Sequence, residues 1–268
     1  MLDSVTAVGF SAVFESGRTL PILVDVERDD GAVVQAVAKL SGTECGPGGL
    51  VREAFSSMLA ADLGLPVPEP LLIEFPSGFS ALVPADRADV RARIDASLSP
   101  TFGTLYFHGL SAYSEAMELP SALIDCASRV VAFDGAVRNS DRGGAKPNCL
   151  TDNKNKLLII DHELALIDDP LLGAFFNPYP WQPDGMNALD NSQRRHVLLT
   201  AARGKGGDLT ELQKSWELLD SKRFEAYKNA IPEVWDPTGA VCLPIVKYLC
   251  EVRDNLPGLF DEAKRILK

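Results

Sequence analysis

Three oxygen-bearing side chains fall close together near the middle of the chain. Asp141 and Asn148 lie in Asn139-Ser140-Asp141-Arg142-Gly143-Gly144-Ala145-Lys146-Pro147-Asn148, and Asp161 closes the run Leu157-Leu158-Ile159-Ile160-Asp161. One carboxylate able to orient or deprotonate a hydroxyl, with an Asn and a second carboxylate able to hold magnesium on nucleotide phosphates, is the set that phosphoryl transfer needs. Gly143 and Gly144 allow the backbone to turn tightly beside a ligand. A polar turn over 151–156 and a short apolar strand over 157–160 would hold Asp161 rigidly. The pattern makes Asp141 the acceptor-orienting base and places Asn148 and Asp161 on magnesium, with ATP as donor. The bland alternative is a surface ion pair between Asp141 and Arg142 and a turn capped by Asp161. Spacing alone does not separate the two.

A nucleotide site also needs a cation for the phosphates. Lys39 ends an apolar strand, and Glu53 follows in the first turn of a helix. The lysine ammonium would contact the α and β phosphates while the glutamate holds it in place. The competing readings are a solvated strand-edge lysine and an acidic residue that favours the helix dipole. Lys146 stands near the phosphate or acceptor position, or is a solvated loop lysine. Neither a Walker A sequence nor the Gly-rich loop of ordinary protein kinases is present. The turn Ser16-Gly17-Arg18-Thr19 offers donors that could cover the phosphates, and Gly46-Pro47-Gly48-Gly49 competes for that role; either could be a plain surface loop.

The elements that must position these groups follow from periodicity. Strands are expected over 5–14, 19–27 and 33–40, with Ile22, Val24 and Val26 in alternation and Arg28-Asp29-Asp30-Gly31 as the tight turn between the last two. A helix over about 50–63 carries Val51, Phe55, Met58, Leu59 and Leu63 at helical spacing, and Gly64 closes it. Further strands are expected near 71–74 and 78–84. Helices are expected over 121–137, 190–202, 208–229 and 238–253. The result is an α+β, two-lobed chain: a β-rich N-terminal lobe with one helix over 1–84, a linker near 84–89, and a mainly helical lobe over 85–268 that carries the catalytic and metal-binding loops. The aromatic stretch 171–186 reads as an ordered loop packed over the larger lobe.

Bulk properties bound the function. At 268 residues the chain can bury a sizeable core. A formal net charge of -11 argues against backbone binding to nucleic acid, although a local magnesium site inverts the electrostatics of its own carboxylates. Five cysteines without a CxxC pair, and only three histidines, disfavour a disulfide framework or a structural zinc site. No signal-peptide pattern or transmembrane segment is evident, so a cytoplasmic protein is expected.

Taken together, Phe133-Asp134, the Asn139 to Asn148 run and Leu158-Ile159-Ile160-Asp161-His162 resemble the HipA-like kinases, in particular short HipA-related domains found alone in bacterial proteins. The likeness extends upstream through Ala38-Lys39 and Glu53 with Leu59-Ala60-Ala61-Asp62-Leu63-Gly64-Leu65-Pro66-Val67-Pro68, covering roughly residues 15–170. It implies a protein-kinase-like fold, distantly similar to the phosphatidylinositol kinases, that uses ATP and magnesium. It also implies Asp141 as catalytic residue, Asn148 and Asp161 as metal ligands, and Lys39 on the ATP phosphates. The best-known relatives phosphorylate serine or threonine on a protein and act as toxins of toxin–antitoxin pairs. That implies a protein substrate and an antitoxin or regulatory partner. Against the full-length toxins, the resemblance leads us to expect a chain without their N-terminal extension and with a shorter helical lobe. Asp161 is followed by His162-Glu163 rather than by a kinase-type Phe-Gly, and His162 fits the short relatives. Two other readings follow from the same residues: a small-molecule or lipid kinase, and a silent kinase fold that binds nucleotide and a protein partner.

Overall fold

The computed structural model describes residues 2–15, 19–42, 46–143, 146–167 and 179–268. Its N-terminal strands arise from β-branched alternation. In β2 (Ile22–Glu27) the side chains of Ile22, Val24 and Val26 are fully buried, and β2 pairs antiparallel with both β1 (Asp3–Val13) and β3 (Val33–Lys39). The turn between β2 and β3 closes through Gly31 N–H donating to the Arg28 carbonyl at 2.9 Å; Gly31 has φ 81°, a conformation that glycine adopts without strain.

Two further strands close this sheet into a barrel in the order β1-β2-β3-β5-β4: β4 (Pro70–Glu74) and β5 (Thr101–Leu105). β4 returns parallel to β1. Gly103 of β5 permits the closure, because a Cβ there would lie 2.2 Å from Ile73 Cδ1 and 2.9 Å from the Val37 carbonyl oxygen. The strand expected over 78–84 is instead a short 3₁₀ turn, Phe79–Leu82. The expected linker leads into α2 (Ala88–Asp95), whose Val90 and Ile94 insert into the barrel core with Phe79 and Val83. The β-rich unit therefore continues past Pro84 to Leu105. A five-residue strand behind a charged helix leaves too short an apolar pattern to read.

α1 (Gly46–Asp62) starts four residues before the expected position, with Pro47 tolerated in its first turn. Its buried face, including Val51, Phe55, Met58 and Leu59, belongs to the larger core that it shares with the C-terminal helices. At its end, the Asp62 carboxylate accepts from Arg223 Nε at 2.5 Å and Nη2 at 2.8 Å, and from the Tyr227 hydroxyl.

The larger lobe contains a small sheet, β6 (Ser111–Ala112), β7 (Cys149–Thr151) and β8 (Leu157–Ile159), in that order. Around it lie α3 (Ile124–Ala136), α4 (Leu199–Ala202), α5 (Thr210–Leu218), α6 (Ser221–Ala230), α7 (Cys242–Asp254) and α8 (Leu256–Leu267). Of the helix expected over 190–202 only the last turn forms. The one expected over 208–229 breaks after Leu218, where Asp220 accepts the Arg223 N–H and caps α6. α8 escaped the sequence reading because Pro257 and Gly258 stand at its start, yet Leu256, Leu259, Phe260, Ala263 and Ile266 are buried at helical spacing. The two-lobed α+β arrangement is the one expected. Among the described residues no helix is long and apolar enough to cross a membrane, and Cys126, Cys149, Cys242 and Cys250 are free thiols.

Candidate active site

Lys39 is the last residue of β3 and reaches out of the barrel towards three carboxylates. Its Nζ lies 2.5 Å from Asp161 Oδ1, 2.9 Å from Glu53 Oε2 and 3.9 Å from Glu163 Oε2. Burial works against the ammonium charge, but Glu53, Asp161 and Glu163 outweigh it and raise the lysine pKa well above its ordinary value. Glu53, on α1, is 2% exposed. Burial would push its carboxyl up, but the Lys39 charge and contacts from His162 bring it down to about 2. α1 also grips the segment after Asp161: Glu53 Oε2 accepts the His162 N–H at 2.6 Å, and Arg52 Nε donates to the Glu163 carbonyl at 2.7 Å.

The β7–β8 hairpin brings Asn148 and Asp161 to the same end. Cys149 pairs with Ile159, and Ile160 N–H donates to the Asn148 carbonyl at 3.0 Å. Both flanking residues take left-handed backbone conformations, φ 42° at Asn148 and φ 63° at Asp161. Non-glycine residues pay for such conformations and keep them where the surroundings over-determine them. Asn148 Nδ2 donates to Asp141 at 3.3 Å to Oδ2 and 3.2 Å to the carbonyl, which leaves the Asn148 amide oxygen as its available ligand atom. Lys39, Glu53, Asp161, Asn148 and Asp141 thus belong to one neighbourhood drawn from the barrel, α1, the loop that carries Asp141 and the β7–β8 hairpin.

Beneath it lies a buried network that spacing did not disclose. Arg142 does not pair with Asp141 on the surface; its side chain is fully buried, and Nε donates to Asp134 Oδ2 at 2.5 Å. Its Nη1 donates to the carbonyls of Asn148 and, at 3.1 Å, Ile160. Asp134 also accepts from Asn139 Nδ2 at 3.0 Å and meets His196 Nε2 at 2.8 Å. Burial opposes the Asp134 charge, yet Arg142 and His196 hold its carboxyl well below the carboxylate range. Phe133-Asp134 stood out as a motif, whereas nothing in the sequence ties His196 to it. The His162 ring is also buried, edge-on to Phe133 with ring centres 6.0 Å apart; its Nδ1 lies 3.7 Å from Glu53 Oε1, and among the described residues neither ring nitrogen makes a hydrogen bond.

The remaining expected residues are more scattered. Ser16, Gly17 and Arg18 lie outside the described residues, while Thr19 is buried at the start of the segment leading into β2. Lys146 is exposed, with its N–H donating to the Gly143 carbonyl at 3.2 Å. The competing Gly46–Gly49 segment is the first turn of α1. Among the described residues no cluster of three or more His, Cys, Asp or Glu side chains suited to a metal occurs. Magnesium does not require one: it is bound by one or two protein oxygens, with phosphates and water completing its shell. The Asn148 amide oxygen and the Asp161 carboxylate are such hard donors, so the residues fit that ion.

The family model described as HipA-like kinase matches residues 13–201. The crystal structure of the Helicobacter pylori proinflammatory kinase CtkA is similar in fold, with a TM-score of 0.55 at 14% identity, over 94% of each chain. No curated protein matches the chain. With the family model spanning well over half of its length, the chain belongs to the HipA-like kinase family.

Proposed function

We propose that this protein is an ATP-dependent kinase that transfers the γ-phosphoryl group to a serine or threonine hydroxyl on a protein, and that it works in the cytoplasm alongside an antitoxin-like or regulatory protein partner. One observation carries the catalytic part. Lys39 from the barrel and Asp161 from the hairpin, 122 positions apart, meet at 2.5 Å with Glu53 on the other side of the ammonium. Supporting the acceptor assignment is the family itself.

In this reading Glu53 holds Lys39 against the α and β phosphates of ATP. Asp141 accepts the proton of the acceptor hydroxyl as its oxygen bonds to the γ-phosphorus and the bond to the ADP oxygen breaks. The Asn148 side chain keeps Asp141 in orientation. Magnesium, held by Asn148 and Asp161, would neutralise charge on the phosphate oxygens.

The test is incubation with γ-labelled ATP and magnesium, using the protein itself and cell extract as acceptors. Transfer by the wild type that is lost in Asp141→Ala and Asp161→Ala is expected. Transfer undiminished in both variants overturns the site. Nucleotide binding without transfer to any acceptor turns the protein into a silent nucleotide-binding scaffold, and label on lipid or metabolite alone moves the acceptor class.

A further inference from the structure

We infer that His196, which lies far beyond the catalytic loop in sequence, is a positioning residue for the phosphotransfer site and acts through the buried Asp134 carboxylate. This inference rests on the kinase reading for its activity readout only.

Asp134 is a hub. Its two oxygens take Arg142 Nε at 2.5 Å, Arg142 Nη2 at 3.4 Å, Asn139 Nδ2 at 3.0 Å and His196 Nε2 at 2.8 Å, with no exposed surface. A buried carboxylate is tolerated only when donors surround it, so its orientation follows from theirs. Two of those donors continue to the site. Asn139 Oδ1 accepts the Asp141 N–H at 3.1 Å, which sets the backbone of the proposed base. Arg142 Nη1 holds the carbonyl of Asn148 and the Ile160 carbonyl just before Asp161. These peptide groups adjoin the two left-handed residues whose side chains would face magnesium. One guanidinium therefore sets both ligand positions, and Asp134 sets the guanidinium.

His196 is held as a donor to that hub. Its Nδ1 accepts the Leu198 N–H at 3.2 Å, which leaves the proton of the neutral ring on Nε2, facing Asp134. Its own N–H donates to the Leu189 carbonyl at 2.8 Å, and the neighbouring Val197 N–H donates to the Arg142 carbonyl at 2.9 Å. Gly143 pairs with His196 along the backbone. The 194–198 segment thus grips the catalytic loop by its main chain and the hub by one imidazole. A space-filling residue would need only the first grip.

The experiment compares His196→Leu with His196→Gln, whose amide nitrogen can reach Asp134, in the full chain. Expected for His196→Leu is a fall in kcat of about tenfold to a hundredfold at nearly unchanged KM for ATP, with most of the loss restored by glutamine. The same variants are read by backbone amide NMR without nucleotide, where the Asp141 and Ile160 amides should shift in His196→Leu and return in His196→Gln. If His196→Leu does not fold, His196→Asn, whose shorter amide cannot reach Asp134, replaces it. A wild-type kcat per folded molecule in His196→Leu overturns the inference, as does equal impairment of the leucine and glutamine variants. Should the wild type transfer no phosphate, the kinase reading fails and the NMR comparison decides this one: unshifted Asp141 and Ile160 amides overturn it, shifted and restored ones support it.

Discussion

At the scale of single residues, the site is a concentration of charge removed from water. Glu53 is almost fully buried, and its ionised state depends on Lys39. Replacing Lys39 with Met leaves that carboxylate without its cation, and breaking a buried pair in this way costs about 3–5 kcal/mol. Urea denaturation should show a loss of that order together with lost phosphotransfer. The Glu53 pKa falls from 4.5 to about 2 on folding. Between these values the unfolded chain binds a proton that the native protein does not, so stability rises with pH across that window. The contribution is complete above pH 4.5 and is lost as pH falls towards 2. Denaturation at about pH 6 and about pH 3 should therefore show a shallower acid loss in Glu53→Gln than in wild type. An unchanged slope would mean that Glu53 is not held ionised by folding.

At the scale of elements, the loop that carries Asp141 is shaped by what lies against it. A Cβ on Gly143 would stand 2.7 Å from the Arg195 carbonyl oxygen and 2.9 Å from that of Arg194, both backbone atoms. Gly143→Ala must push the 194–195 backbone away and open its pairing with His196. We expect a loss of about 1–3 kcal/mol in thermal or urea unfolding, and weakened phosphotransfer. Gly135→Ala is the control. Its Cβ would meet Met186 Sδ at 2.7 Å, the end of a flexible side chain that can move aside, so a smaller loss is expected. Equal effects would show that the 194–195 backbone yields as freely as a methionine. The β7–β8 hairpin was legible from its apolar run and polar turn, and the α1 core face from its helical spacing. β5 and α8 were not, since a five-residue strand and a helix opening on Pro257-Gly258 carry little local periodicity.

At the scale of the whole molecule, two cores meet at the site. One fills the barrel with α2; the other holds α1 together with the C-terminal helices. Lys39 leaves the first and is paired by Glu53, which is rooted in the second. Magnesium-ATP should therefore slow amide hydrogen exchange in β3, in the first turns of α1 and around Asn148 and Asp161 together. Protection confined to the barrel would separate the nucleotide from the hairpin residues and count against the proposed site.

The sequence by itself determined the class of fold and singled out the candidate chemistry-bearing residues. Alternating Ile22, Val24 and Val26, the helical spacing from Val51 to Leu63, and the Asp141, Asn148 and Asp161 run are local signals that survive in one dimension. Only the tertiary structure decided what holds those residues. The alternative of a surface pair between Arg142 and Asp141 does not form: Arg142 is buried on Asp134, while His196 reaches the same carboxylate from a remote segment. The physical reason is that burying a charge requires partners from wherever the chain packs, and no local periodicity records which distant segment supplies them.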